Sequence, residues 1–203
     1  DWAMPGPRLR DALRRSKVLA LELDISDPQV QQQLLSQIQT TQPSPLPAEL
    51  LAQLRSMADT LCISWNELAP QRPEFQLTVL TLAAARYDGL DAGMGSEVVL
   101  AGLAPHLGIR VHGLESVTEQ IDALTMNSPA ELAEWVGTGL RDLRTEQARK
   151  LMRELTRTWA ESDLKRLESY ADWCECMNTP SERALADRVI DQRNRTLADR
   201  MDA

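Results

Sequence analysis

Apolar residues recur along this chain at two periods, and the shift between them marks its elements. Lys17 to Leu23 (KVLALEL) is a compact apolar run of strand length, and Ile109 to Leu114 (IRVHGL) is a second. Gly113 inside the second run marks a weak point in it. Elsewhere the spacing is three or four residues, as on one face of a helix. Pro7 to Arg15 reads as a short helix. After the cap and proline at Asp27-Pro28, Val30, Leu34, Leu35 and Ile38 continue a second. Thr41 to Pro47, with three prolines, interrupts the chain before a helix carrying Leu50, Leu51, Leu54, Met57 and Leu61 on its inner side.

Pro70 and Pro73 punctuate the next turn, and Glu74 to Tyr87 reads as an apolar helix. Asp88 to Gly95 holds three glycines and predicts a loop. Ser96 caps a helix running to His106, and Gly108 ends it. The remainder is helical. Ser116 with Glu119, Ser128 with Glu131 and Thr179 with Glu182 each place a hydroxyl three residues before a glutamate, the signature of a capping box. A helix spans Glu146 to Trp159, and another begins at Ser162, turning Leu164, Leu167 and Tyr170 inward. The pattern predicts an α/β fold, predominantly helical, with a small parallel sheet, in a single domain over residues 1–203.

Within the first strand Val18, Ala20 and Glu22 share one face, and Leu19, Leu21 and Leu23 the other. Glu115 ends the second strand directly before the capping Ser116. Ligands of open α/β sheets sit outside the carboxyl ends of the strands, so parallel neighbouring strands would aim both glutamates at one crevice. In the last helix Leu185, Val189 and Leu197 form an apolar face whose intervening position is Arg193. An arginine there is costly unless paired, and Glu22 or Glu115 would satisfy it. Gln120, between Val117, Ile121 and Leu124, likewise needs a partner. The plainer alternatives are solvated strand-end glutamates and an arginine that snorkels to water. His106, near a helix C-terminus, reads as a surface residue, and His112 as either a crevice or a sheet-edge residue.

Composition narrows the chemistry. With 22 Lys and Arg against 30 Asp and Glu, the surface offers no basic stripe for nucleic acid. No apolar run approaches the roughly 18 to 20 residues that span a bilayer, which predicts a soluble chain without a transmembrane segment. Trp2, Met4 and Pro5, after an initial Asp1, read as the interior of a longer protein. Cys62, Cys174 and Cys176 are too few and too oddly spaced for a disulfide framework, and an odd count leaves at least one free or intermolecular thiol. Cys174 and Cys176, read as helical neighbours, point to different faces, which argues against half a metal site. Walker loops, dinucleotide glycine signatures, Ser-His-Asp order and His-Glu-x-x-His helices are absent from the sequence.

Four segments, LALELD at Leu19 to Asp24, GLESVTEQ at Gly113 to Gln120, TWAESDLKRL at Thr158 to Leu167 and QRNRTLADRM at Gln192 to Met201, resemble in order and spacing the TraB/GumN/PrgY family, to which the animal Tiki proteins are related. Members are regarded as metal-dependent hydrolases, with the Tiki branch acting as peptidases on secreted signalling proteins. The resemblance implies Glu22, Glu115 and Arg193 as catalytic positions, with Gln120 and Asn194 as substrate-binding or supporting ones, to which the place of His112 in the second strand adds a further candidate. The family's two Gly-x-x-His motifs do not occur in this sequence. Gly108 to His112 has one residue too many, and His106 has no glycine three positions before it.

The resemblance therefore implies a domain truncated at both ends, inactive by itself, with a divalent metal in the full-length protein and none in this piece. It also implies a peptide or small secreted substrate and a periplasmic or extracytoplasmic home, a cytoplasmic one being the alternative. The competing readings are a non-catalytic peptide- or signal-binding module and a purely structural helical domain. Open sheet edges would favour a homodimer.

Overall fold

The computed structural model describes residues 6–201, so the reading of Trp2, Met4 and Pro5 lies outside the described residues. The chain adopts the expected mainly helical α/β fold with one two-stranded parallel sheet. Helix α1 (Pro7–Arg15) leads into β1 (Val18–Leu21), followed by α2 (Pro28–Ile38), α3 (Ala48–Thr60), the single turn α4 (Trp65–Leu68) and α5 (Pro73–Ala85). Helix α6 (Ser96–Leu103) precedes β2 (Arg110–Gly113) and α7 (Val117–Leu124). Then come α8 (Pro129–Arg144), α9 (Gln147–Ala160), α10 (Leu164–Glu168), α11 (Tyr170–Trp173), α12 (Pro180–Ala186), a π-helical turn over Asp187–Gln192, and α13 (Arg193–Met201).

The largest core is helical. Leu54 of α3, Leu68 of α4, Leu77 and Leu80 of α5 and Val136 and Leu140 of α8 are all buried within one cluster. The sheet rests on two smaller clusters. Leu13, Ala104 and Ile109 lie below it with Leu19 and Val111 against them, while Leu23, Val117 and Ile121 join α2 to α7. Alternation along β1 and β2 therefore has a clear sense. Leu19, Leu21 and Val111 turn toward packed neighbours, and Val18, Ala20, Arg110 and His112 are exposed.

Gly113 belongs in this strand for a steric reason. A Cβ there would lie 3.0 Å from the backbone nitrogen of Asp24, where the chain turns away from β1. Both strands are shorter than the apolar runs that contain them. Beyond Leu21 and Gly113 the pairing continues as single bonds, with the Leu114 and Glu115 N–H groups donating to the carbonyls of Leu21 and Glu22 at 2.8 and 2.9 Å.

Helix ends mostly follow the capping chemistry. Ser116 with Glu119, and Thr179 with Glu182, form reciprocal boxes. At α8 only half of the box forms: Ser128 accepts from the Glu131 N–H, whereas the Glu131 carboxylate accepts from Asn127 at 2.8 Å. The cap of α10 is Asp163 rather than Ser162, and Leu164, expected inward, is 69% exposed. Leu167 and Tyr170, expected inward with it, are partly buried. Ser96 is the first residue of α6 and not its cap, and the helix stops at Leu103, before a 3-10 turn over Pro105–Leu107.

The cysteines depart from the helical-neighbour reading. Cys174 and Cys176 do not share a helix: they flank Glu175, at φ 52°, beyond α11, and are joined by a disulfide. Cys62 is a free, exposed thiol. Among the described residues no helix is long and apolar enough to cross a membrane.

Candidate functional site

The parallel register sets Leu21 opposite Gly113, so β1 and β2 end side by side and release Glu22 and Glu115 at the same edge. Arg193, the first residue of α13, comes to meet them. Its Nε donates to Glu115 Oε1 at 2.7 Å and its Nη2 to Glu115 Oε2 at 2.6 Å, a bidentate fork. The same Nη2 stands 2.6 Å from Glu22 Oε2. Gln120, one turn into α7, donates its Nε2–H to that oxygen at 3.0 Å. Glu22, Glu115, Arg193 and Gln120, singled out from sequence for separate reasons, form one hydrogen-bonded group.

A third acid completes it. Glu97, in the first turn of α6, accepts the Glu22 backbone N–H on its Oε1 at 3.1 Å. Burial pushes the Glu97 carboxyl above the ordinary range, and the nearby charges of Glu22 and Glu115 push the same way. The Glu22 N–H and the Arg193 charge pull it back in part. Arg193 is shifted upward, first by its bonds to Glu115, so its charge is secure at every accessible pH. Two carboxylates thus pair with one guanidinium, and a third lies near enough to feel its charge.

The C-terminal segment is strapped down by two further arginines. Arg188 reaches the α7–α8 junction, with Nη1 donating to Glu131 at 3.1 Å, Nη2 to the Thr125 carbonyl at 3.2 Å and Nε to that of Ala123 at 3.3 Å. Arg200 donates to the Leu114 carbonyl at 2.7 Å and to Glu119 at 2.6 Å. The Arg200 bond, followed by the Ser116 N–H and hydroxyl, holds the Glu119 carboxyl down to about 2. Arg193 and Arg200 are seven residues apart, two α-helical turns. Arg188 and Arg193 are five apart, a spacing that shares a face only where the helix widens, and the π turn Asp187–Gln192 lies between them.

Glu97, Arg188 and Arg200 were not identified as site or strap residues from the sequence. Glu97 follows a glycine-rich loop and precedes an apolar run, which suggests a helix start and not a direction. The arginines are visible as charges, but their common face depends on a π turn that an α-helical period does not reveal. Asn194 is exposed beside Arg193, and His112 is exposed on β2 opposite Ala20, so neither is drawn into the acid–arginine group.

An apolar groove of about 970 Å³ is walled by Leu82 of α5, Met94 of the segment before α6, and Met152, Leu155 and Trp159 of α9. Gly95 and Ser96 also line it, and Glu97 is the next residue. Asp91 is the one charged side chain among its lining residues.

Comparison with known proteins adds one positive finding. The model of the TraB/PrgY/gumN family matches residues 1–203. Neither the comparison with curated proteins nor that with solved structures returned a match.

Proposed function

Because the chain belongs to the TraB/PrgY/gumN family, we propose that its acid–arginine group is the supporting half of a hydrolytic site, in the manner of a metal-dependent hydrolase acting on peptides. The observation that carries this reading is the Arg193 fork on Glu115, shared with Glu22, at the carboxyl edge of a parallel sheet.

The roles follow from exposure and bonding. Glu22, with 40% of its side chain open to solvent, is the acid a water molecule reaches, and it serves as general base. Glu115, 5% exposed, fixes Arg193. Arg193 spends Nε and Nη2 on the carboxylates and offers its Nη1 edge to a developing oxyanion. Gln120 orients Glu22, and Glu97 keeps a proton available beside it to a higher pH than an ordinary carboxyl would.

A divalent metal would activate water or polarise a carbonyl. The acids of this group do not fit one by themselves, since the Arg193 guanidinium stands between Glu22 and Glu115 where a bridging cation would sit. Metal donors would have to come from other residues, and no step here runs through an ion. An extracytoplasmic home is part of the same proposal, supported by the Cys174–Cys176 disulfide, which persists most readily in an oxidising compartment.

The test is turnover of a fluorogenic peptide pool by the full-length protein. Glu22→Gln is expected to lower kcat by about 100-fold or more while leaving peptide affinity within about threefold. Undiminished turnover would remove Glu22 from the chemistry. A second reading, peptide binding without hydrolysis, is favoured by the apolar groove whose lining includes Ser96, the sequence neighbour of Glu97. It is the reading that stands if the full-length protein retains peptides and releases them uncut.

A further inference from the structure

Cys174 and Cys176 close a disulfide across a single intervening residue. A ring so small removes little freedom from the unfolded chain, because loop-closure entropy grows with the length enclosed. It therefore does little as a staple. Glu175 between the cysteines lies at φ 52°, in the left-handed region that a side chain with a Cβ seldom occupies, as Cys62, Glu146 and Ser162 do elsewhere in the chain. A bond that stabilises little and sits on a strained residue is suited to being opened and closed.

The surroundings distinguish the two sulfurs. Cys174 is 1% exposed, while Cys176 is only partly buried, so Cys176 is the residue of the two that stands closer to solvent and to an incoming thiolate. The Cys176 backbone N–H donates to Cys174 Sγ at 3.1 Å, placing a hydrogen-bond donor on the sulfur that would leave with the electron pair. The Tyr170 hydroxyl lies 3.3 Å from Cys176 Sγ. Buried Cys174 as leaving group and accessible Cys176 as the attacked atom make a directed site.

We propose that Cys174–Cys176 is a thiol–disulfide exchange site, attacked at Cys176, whose co-reactant is a dithiol. A dithiol thiolate bonds to Cys176 Sγ as the Cys174–Cys176 bond breaks, and the electron pair goes to Cys174 Sγ, which takes a proton from solvent. The dithiol's second thiol gives up its proton and attacks the dithiol sulfur of the mixed disulfide, releasing Cys176 as a thiolate that is then protonated. Two electrons and two protons pass to the protein, and the dithiol leaves as its disulfide. The site is independent of the acid–arginine group.

The test uses the Cys62→Ser chain, which removes the exposed free thiol. The native protein is treated with dithiothreitol, quenched with iodoacetamide and mapped by peptide mass, with far-UV circular dichroism recorded throughout. Both Cys174 and Cys176 are expected to be alkylated in native buffer with the helical signal unchanged, and removal of reductant restores the disulfide. In single variants probed with Ellman's reagent, the Cys176 thiol of Cys174→Ser reacts at least about tenfold faster than the Cys174 thiol of Cys176→Ser. The proposal is overturned if reduction needs denaturant, if reduction unfolds the chain, if the air-oxidised protein carries both thiols free, or if Cys174 is the faster. Should either single variant fail to fold, the alkylation of the Cys62→Ser protein still decides the matter.

Discussion

Glu22 and Glu115 share one guanidinium unequally: both place an oxygen 2.6 Å from Arg193 Nη2, yet Glu115 keeps 5% of its side chain exposed and Glu22 keeps 40%. The same ion-pair distance therefore means different things at the two acids. At Glu115 both partners are largely cut off from water, and removing either leaves the other buried without its partner. At Glu22 water can replace the arginine.

Removing the arginine should expose that difference. Arg193→Met leaves Glu115 buried and without its partner, at an expected cost of about 3 to 5 kcal/mol. Glu22→Gln should cost under about 1 kcal/mol. Urea unfolding midpoints check both values. Pairing Arg193→Met with Glu115→Leu removes both buried charges and should recover most of the loss, and a double variant no more stable than Arg193→Met would mean that the fork is not what sets the cost.

Titration of stability supplies a second check, because Glu97 and Glu119 are shifted in opposite directions. Glu97 binds its proton more tightly folded than unfolded, so its ionisation costs stability as pH rises from the ordinary carboxylate value near 4.5 through its raised folded value. Glu97→Gln, which keeps an oxygen for the Glu22 N–H, should raise the Tm at pH 7 and lose that advantage near pH 4. For Glu119, held at about 2 against an ordinary 4.5, the stabilisation is complete above pH 4.5 and disappears as pH falls toward 2. Glu119→Gln should therefore lower the Tm at pH 7 and cease to matter near pH 2. Thermal scans between pH 2 and pH 8 separate the two, and parallel Tm curves for the variants and the parent would contradict both assignments.

Glycine at position 113 is the test of the strand edge. An alanine Cβ there meets the Asp24 nitrogen at 3.0 Å, and that atom belongs to backbone that cannot rotate aside. Gly113→Ala should cost about 1 to 3 kcal/mol and loosen the turn that presents Glu22. Amide exchange at Leu114 and Glu115, whose N–H groups bond to Leu21 and Glu22, reports the loosening directly. Wild-type protection at those amides would show that the turn absorbs the methyl.

The sheet edge and the helix register were legible in the sequence to different degrees. The alternation Val18, Ala20, Glu22 against Leu19, Leu21, Leu23 predicts which acid leaves which face, because the period of a strand is short and one face is packed. The pairing of Arg193 was half legible: an arginine among Leu185, Val189 and Leu197 must either meet an anion or snorkel to water, and the sequence left both open. Glu97 was not legible, since α6 owes its direction to long-range packing around Ala101 and Ala104 and not to anything next to Glu97 in sequence. Leu164 misled for a related reason: an apolar residue in the first turn of a five-residue helix has no constant face to share.

The π turn between Arg188 and Arg193 yields the sharpest prediction. Across Asp187–Gln192 the helix holds one residue more per turn than an α-helix requires, which is why arginines five apart both face α7 and the strand ends. Deleting Asp191, which is exposed, would leave the arginines four apart, still one turn in a regular α-helix, so both contacts survive and the Tm should move by less than about 4 °C. Inserting one alanine after Asp191 rotates Arg193 by about 100° relative to Arg188 and takes the fork off Glu115. That variant should lose as much stability as Arg193→Met, by the same urea midpoint. If deletion proves as damaging as insertion, the π turn is not a spacer, and the strap depends on its own backbone geometry.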